Sequence, residues 1–341
     1  MECCRVCVTG ASSYLGSSLV KRLLEKGYTV HATLRNLGDP FKVGLVQSLP
    51  KADNRLKLFE ADIYSPYDFE QAIQGCNYIF HLATPLQNEP KDYQFKDISE
   101  AAVSGLNSIV KSSIKSGTIK RFIYTASVVA ASPVKDSGNG FKQFMDESCW
   151  TPLNLSIPFA TQPMMEYTHS KILSEKEALK HISDELEVVS IVCGLVGGDT
   201  FLPTMPNSMK VLISQITKNE RRYKTLRFLE ELLGKLPFVH IEDVCTAHIL
   251  CMEQPSISGR FLCAGAYLSS AEIASHWEKN YPDIRIAKEF VEDIEREIYW
   301  GSSKLKKIGF KYKFGAKEIL DGTLKWAQKM GEYASSQDQS I

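Results

Sequence analysis

At 341 residues, 44% hydrophobic and 23% charged, the chain has the makeup of a globular protein built as one large α/β unit or as a main domain with a smaller lobe. Forty basic and forty acidic residues cancel, which argues against nucleic acid or an anionic membrane as a partner. The nine cysteines include a single C-x-x-C, Cys4 and Cys7, with no second pair at zinc spacing, and suggest a reducing compartment; no apolar run is long enough to span a bilayer, and strand signal starts almost at Met1, so the expected location is cytoplasmic and no metal is expected.

The first predicted strand covers Arg5 to Thr9 and breaks at Gly10 before an amphipathic helical segment from Tyr14 to Lys26. Tyr28 to Leu34 alternates and is β-branched, reading as a second strand that ends at Arg35. Leu56 to Ala61 is a third, followed by Asp62 and a Ser-Pro helix start near Ser65. Tyr78 to Ala83 is a fourth, its apolar run suited to a parallel strand covered on both faces. Helical spacing from Ile98 to Ser116 leads to a fifth strand, Arg121 to Ala126, and a long helix from Met164 to Lys180 leads to a sixth, Glu187 to Cys193. Strands and helices alternating in this way imply βαβ units and an α/β fold with a doubly wound parallel sheet of the Rossmann type.

From about Thr200 the rhythm loosens, with Pro203, Pro206 and Pro237 punctuating helical stretches and a highly charged segment from Glu220 to Arg227. Phe238 to Met252 begins extended and becomes helical, with Asp243 placed to cap. Strand signal returns at Arg260 to Ala264, and helices are expected at Ser270 to Lys279 and Ala316 to Lys329. Residues 1–199 are therefore assigned to a nucleotide-binding domain and 200–341 mainly to a smaller substrate lobe over the carboxyl ends of the strands, some of its segments returning to the main sheet. The polar tail after Glu332 is expected to fray.

Two patterns carry chemistry. Gly10, Ser13 and Gly16 have the spacing of a G-x-x-G-x-x-G loop whose middle glycine is replaced by serine; such a loop can cradle a pyrophosphate at a helix N-terminus or be a plain strand–helix turn. Tyr167 and Lys171 stand four apart on one predicted helix, hence on one face. That pair could equally be a half-buried tyrosine beside a solvated lysine. Its position after a nucleotide-binding half, and after a fifth strand whose end carries Ser127, suggests hydride transfer to a carbonyl. A phenol of pKa about 10 becomes useful near neutrality only beside a cation. Lys171 supplies one, Tyr167 would deliver the proton and Ser127 would bond the substrate oxygen.

Val6–Gly16, Arg35, Asp62, Ala83-Thr84-Pro85, Tyr124-Thr125-Ala126-Ser127 and the Tyr167–Lys171 run occur in the order of the extended short-chain dehydrogenase/reductases, which the chain resembles from roughly Arg5 to Gly331. More narrowly, Asp146–Trp150 (DESCW), Phe238–Ile249 (FVHIEDVCTAHI) and Ser302–Phe314 (SSKLKKIGFKYKF) resemble the plant dihydroflavonol reductase group, which includes anthocyanidin, vestitone and cinnamoyl-CoA reductases. The resemblance implies Ser127, Tyr167 and Lys171 as the catalytic set. It implies Gly10, Ser12, Ser13, Tyr14, Leu15 and Gly16 at the pyrophosphate, and Asp62 with Ile63 at the adenine. Ala83, Thr84, Thr125, Cys193, Leu195 and Val196 are expected along the rest of the cofactor, together with Tyr167 and Lys171. Arg35 stands where NAD-specific folds carry an acid, so a 2′-phosphate and hence NADP(H) is expected, with Lys42 as a second basic residue. Pro85, Ser132, Met164, Phe201 and Met205 are candidate substrate contacts, and Met165, Leu202, Met209 and Tyr223 could extend an apolar pocket or be core.

Departures from the family pattern bear on substrate and cofactor pose. Ser13 replaces a glycine, Cys193-Gly194 stands where a proline is usual, Gly198-Asp199 replaces Gly-Pro, and Ser132 replaces the polar residue that reads the flavonoid ring in true dihydroflavonol reductases. The Asn-Trp-Tyr-Cys-Tyr signature of cinnamoyl-CoA reductases is absent. The expectation is an NADPH-dependent reductase of a ketone or related carbonyl on a flavonoid, isoflavonoid or similar polycyclic aromatic metabolite, acting as a monomer or weak homodimer. A dehydrogenase working on an alcohol or hemiacetal, an epimerase, and a non-catalytic NADP-binding sensor of the same fold are the alternatives. His240 and Asp243 are read as fixing a helix entry, His81 as a packed core residue, and His169 as facing either substrate or water.

Overall fold

In the computed structural model, which describes residues 4–65, 67–85, 95–292 and 296–333, a strand, tight turn and helix open the chain. β1 (Arg5–Thr9) is buried from Val6 onward and turns at Gly10, whose φ of +69° lies in the left-handed region. α1 (Tyr14–Glu25) starts from a Ser13 cap and buries Leu19, Val20, Leu23 and Leu24 at helical spacing. β2 (Thr29–Leu34), α2 (Pro40–Gln47), α3 (Ala52–Arg55), β3 (Leu56–Glu60), α4 (Glu70–Ile73) and β4 (Tyr78–His81) follow. Next come α5 (Ile98–Ser116), β5 (Arg121–Ser127), β6 (Phe144–Met145), α6 (Gln162–Lys180), β7 (Glu187–Cys193) and β8 (Leu195–Gly197). Then come α7 (Asn207–Leu212), α8 (Glu220–Leu233), β9 (Leu236–His240), α9 (Ile241–Glu253), β10 (Gly259–Cys263) and β11 (Ala266–Leu268). The chain continues through α10 (Ser270–Asn280), β12 (Tyr299–Trp300), α11 (Lys304–Lys307) and α12 (Ala316–Lys329).

Seven strands form one sheet in the order β10-β7-β5-β4-β1-β2-β3, the doubly wound arrangement expected. β1 pairs in parallel with both β2 and β4, and β2 with β3 and β4 with β5 likewise. The strand order reverses between β1 and β4, which puts a crevice beyond their carboxyl ends, where such sheets bind ligands. Gly10 leaves β1 there and residues 82–85 leave β4 there.

The described chain divides into two compact units, one from residues 1–126, 162–191 and 245–261 and the other from 127–161, 192–244 and 262–341. The two units interleave along the chain, and β10, far along it, is an edge strand of the large sheet. The core of the first unit is apolar at Val6, Val8, Ile79, Phe80, Phe122 and Ile123. Its buried Arg121 donates to the carbonyls of Cys251, Met252 and Gln254 and also pairs with Glu187, so one guanidinium satisfies the last turn of α9. The second unit holds a three-stranded sheet, β11-β9-β8, a two-stranded pair, β12-β6, and a core around Leu212, Leu226, Phe238, Trp277 and Leu324.

Three sequence expectations change. The helix start near Ser65 is a turn held by Asp62 and Asp68 carboxylates on the Tyr64 and Asp62 N–H groups, and α4 begins only at Glu70; Pro66 itself lies outside the described residues. β4 ends at His81 rather than Ala83, because the Thr9 hydroxyl oxygen accepts from the N–H groups of both Leu82 and Ala83, at 3.0 Å each. Asp243 does not cap α9: its carboxylate accepts from the Lys313 and Phe314 N–H groups, and His240 Nδ1 takes the Glu242 N–H at 3.2 Å instead. Residues 334–341 of the expected frayed tail lie outside the described residues. Among the described residues, no helix is long and apolar enough to cross a membrane.

Candidate active site

The loop between β1 and α1 is anchored on β2 by Gly10 N to Thr33 Oγ1 at 3.4 Å and Ala11 N to the Thr33 carbonyl at 3.0 Å. A Cβ on Gly16 would stand 2.2 Å from the Gly10 carbonyl oxygen, and one on Gly10 would stand 3.1 Å from the Ala83 nitrogen. Both positions therefore require bare backbone. Ser13 does not need a glycine's freedom: its backbone is extended, and its Oγ accepts from Gly16 N at 3.1 Å as the cap of α1. Ser12, Tyr14 and Leu15 are half-buried around it. A cradle that a Cβ would fill, at the N-terminus of a twelve-residue helix, suits the diphosphate of a dinucleotide.

Arg35 is exposed just past the end of β2. Lys42, in the first turn of α2, pairs with Asp39 at 3.2 Å, and its backbone N–H and side chain hold that carboxyl below the usual range. Asp62 Oδ1 is engaged by the Tyr64 N–H at 3.1 Å. The Ile63 side chain is buried against α5, where a Cβ on Gly105 would come within 2.5 Å of its Cδ1.

Farther along the same crevice, Lys171 is 6% exposed and its Nζ donates to Thr84 Oγ1 at 2.9 Å and to the Thr125 carbonyl at 3.3 Å. Its Nζ lies 6.0 Å from the centre of the Tyr167 ring, and Tyr167 is 38% exposed. A buried cation thus stands beside a phenol open to a ligand. Thr125 Oγ1 is itself fixed by His248 Nε2 at 2.9 Å. Ala83 is half-buried and Pro85 buried beside Thr84. Ser127 ends β5 two residues after Thr125, on the same side of the strand. His169 is half-buried, while Ser170 Oγ donates to the Tyr167 carbonyl at 2.9 Å.

Several residues to which sequence reading assigned no part in the site surround this lysine. Tyr124 lies beneath Nζ, with its ring centre 5.3 Å away. Burial first, and Lys171 second, push the His81 imidazole down to about 3. Behind α6, Glu175 pairs with Arg260 and accepts from Ser190 Oγ at 2.7 Å. The available signal was the spacing of Tyr167, Lys171 and Ser174 at i, i+4 and i+7, a polar stripe on a helix whose buried face also includes Ser170 and Glu175.

In the second unit Ser132 is fully buried, and the expected substrate contact is corrected: its hydroxyl donates to the Leu232 carbonyl and accepts from Val134 N, so both functions serve the turn. Cys193 is buried, and Leu195 and Val196 are half-buried in β8. Gly194 N donates to the Cys263 carbonyl at 3.0 Å, and a Cβ on Gly194 would come within 2.6 Å of the Pro237 carbonyl oxygen. Position 194 is thus a close backbone crossing that a proline could not occupy. Met205 and Met209 are buried, Tyr223 packs edge-on to Phe290, Phe201 is exposed, and Met164 is half-buried in the first turn of α6 of the first unit.

Residues 6–261 match the model of the NAD dependent epimerase/dehydratase family. The chain belongs to that family. Across 329 residues it is 37% identical to a Ginkgo biloba protein named, provisionally, an anthocyanidin reductase, covering 96% of this chain and 95% of that one. It is 33% identical over 330 residues to the dihydroflavonol 4-reductase of Dianthus caryophyllus, covering 96% and 88%. The crystal structure of vestitone reductase from alfalfa superposes with a TM-score of 0.77 at 28% identity, covering 96% of this chain and 99% of that one. This member of the epimerase/dehydratase family is an NAD(P)-dependent oxidoreductase.

Proposed function

We propose that the protein is an NADPH-dependent reductase of a carbonyl on a flavonoid-type polycyclic aromatic substrate, with Ser127, Tyr167 and Lys171 as its catalytic residues. The observation that carries this reading is Lys171, buried and tethered to Thr84 and Thr125 with the exposed Tyr167 phenol beside it. Bound NADPH supplies the hydride. Tyr167 gives its proton to the developing alkoxide, a transfer worth typically about 10² to 10⁴ in rate. The Lys171 ammonium favours the phenolate that remains and so lowers the phenol from its usual pKa of about 10. Ser127 donates a hydrogen bond to the carbonyl oxygen as charge builds on it. Arg35 pairs with the 2′-phosphate, while Lys42, already bound to Asp39, has a lesser part.

The reductases of anthocyanidin, dihydroflavonol and vestitone among its relatives support the substrate class. The test is a tryptophan-fluorescence titration with NADPH and with NADH, followed by reduction assays on anthocyanidins, dihydroflavonols and isoflavanones. NADPH should bind more tightly than NADH, Arg35→Ala should weaken NADPH by about tenfold or more, and Tyr167→Phe should lose at least about 10² in kcat. Binding of neither nucleotide, or full activity in Tyr167→Phe, would overturn the reading.

A further inference from the structure

Behind Lys171, on the interior side of α6, is a cavity of about 10 Å³ lined by Lys171, Ser170, Ser174, His81 and Tyr124 among others. That is the volume of a single water, and a water is stable there only with two to four polar partners. Ser174 provides the first: its Oγ is buried and, the Tyr124 hydroxyl apart, has no hydrogen-bond partner among the described residues. A serine hydroxyl that donates to Tyr124 keeps its lone pairs, and leaving them unpaired in the interior is costly, so they favour a donor in the cavity.

His81 provides a second, and the structure fixes its tautomer. Thr9 Oγ1 already accepts two N–H groups, from Leu82 and Ala83, so its own proton goes to His81 Nδ1 at 2.9 Å. Nδ1 is therefore an acceptor. Burial and the nearby ammonium keep the ring neutral, so its proton sits on Nε2 and the imidazole is a donor at that end. The charged and titratable groups around the lysine are His81 on β4, Tyr124 on β5, and Tyr167 and Glu175 on its own helix, the last neutralised by Arg260.

We propose that His81, Tyr124 and Ser174 are positioning residues that hold one water molecule against the Lys171 ammonium, solvating it from inside the protein. Buried lysines lose their proton readily unless dipoles replace the lost water. A water accepting from Nζ and from His81, and donating to the Ser174 and Tyr124 oxygens, keeps Lys171 charged without bringing in a carboxylate that would compete with the phenolate. The role of this water in catalysis rests on the Tyr167–Lys171 reading above; the water itself does not.

The experiment is an NMR titration of ¹³C-lysine-labelled protein without nucleotide, the Lys171 signal being assigned by its loss in Lys171→Met. Ser174→Ala and Tyr124→Phe each delete one hydroxyl, and their folding is checked by thermal melts. Each should lower the Lys171 pKa by about 0.5 to 1 pH unit, the equivalent of one hydrogen bond to a charge-bearing site. An unchanged Lys171 pKa in both folded variants overturns the proposal. Tyr167→Phe activity tests the catalytic reading separately, so that either can fail alone.

Discussion

The Glu175 carboxylate receives the Arg260 guanidinium through two hydrogen bonds, Nε to Oε1 at 2.7 Å and Nη2 to Oε2 at 3.1 Å, with side chains 0% and 5% exposed. Ser190 Oγ completes the shell at 2.7 Å. Burial pushes the Glu175 carboxyl up, and the guanidinium opposes it. This pair ties α6, one residue beyond Ser174, to β7 and β10, and so fixes the helix that carries Tyr167 and Lys171.

Glu175→Ala leaves a guanidinium buried without its partner and should cost about 3 to 5 kcal/mol of stability. Replacing both residues by apolar ones of similar volume should cost much less. Urea unfolding of the single and double variants decides: a single variant within about 1 kcal/mol of wild type would mean that the pair is not shielded from water.

Gly16→Ala puts a methyl 2.2 Å from the Gly10 carbonyl, so the loop must open. The variant should lose about 1 to 3 kcal/mol and most of its nucleotide affinity. Ser13→Gly, by contrast, returns the loop to the family pattern and should cost only a few tenths of a kcal/mol, against about 1 kcal/mol for Ser13→Ala. Denaturant melts paired with NADPH titrations separate capping from binding; equal losses in the two Ser13 variants would refute the capping assignment.

His81 makes the stability of the protein depend on pH. Its folded pKa near 3 lies below the ordinary value of 6.5, so between those values the unfolded chain takes up a proton that the folded one refuses. The contribution is complete above about pH 6.5 and declines as pH falls toward 3, by up to about 1.4 kcal/mol per unit. His31 and His240, also held low chiefly by burial, act in the same direction and cancel in a comparison with His81→Gln. Stability measured from pH 7 to 5 should therefore fall more steeply in wild type than in the variant. Parallel curves would show that His81 protonates freely.

Gly194→Pro removes the N–H donated to Cys263 and adds atoms 2.6 Å from the Pro237 carbonyl. It should destabilise this chain by about 3 kcal/mol, the combined effect of a lost donor and a steric clash. A melting temperature equal to wild type would show that the backbone crossing relaxes.

The sequence by itself determined the sheet and the chemistry-bearing positions that depend on local spacing. Period-two and apolar runs marked all seven strands of the large sheet within two residues, and the Gly10–Gly16 loop and the Tyr167–Lys171 helical spacing pointed to both parts of the candidate site. These signals survive because strand pleat, tight turn and helical face are set by neighbours in the chain. What only the tertiary structure decided are partnerships between distant residues. The pairing of β10 into the sheet, the commitment of Ser132 to the Leu232 carbonyl, the pull of Asp243 toward Lys313 and Phe314, and the Thr9–His81 bond all join segments 70 or more residues apart. A hydroxyl or carboxylate has the same local sequence signature whether it meets a ligand or a carbonyl, and burial with the nearest unsatisfied backbone group settles which.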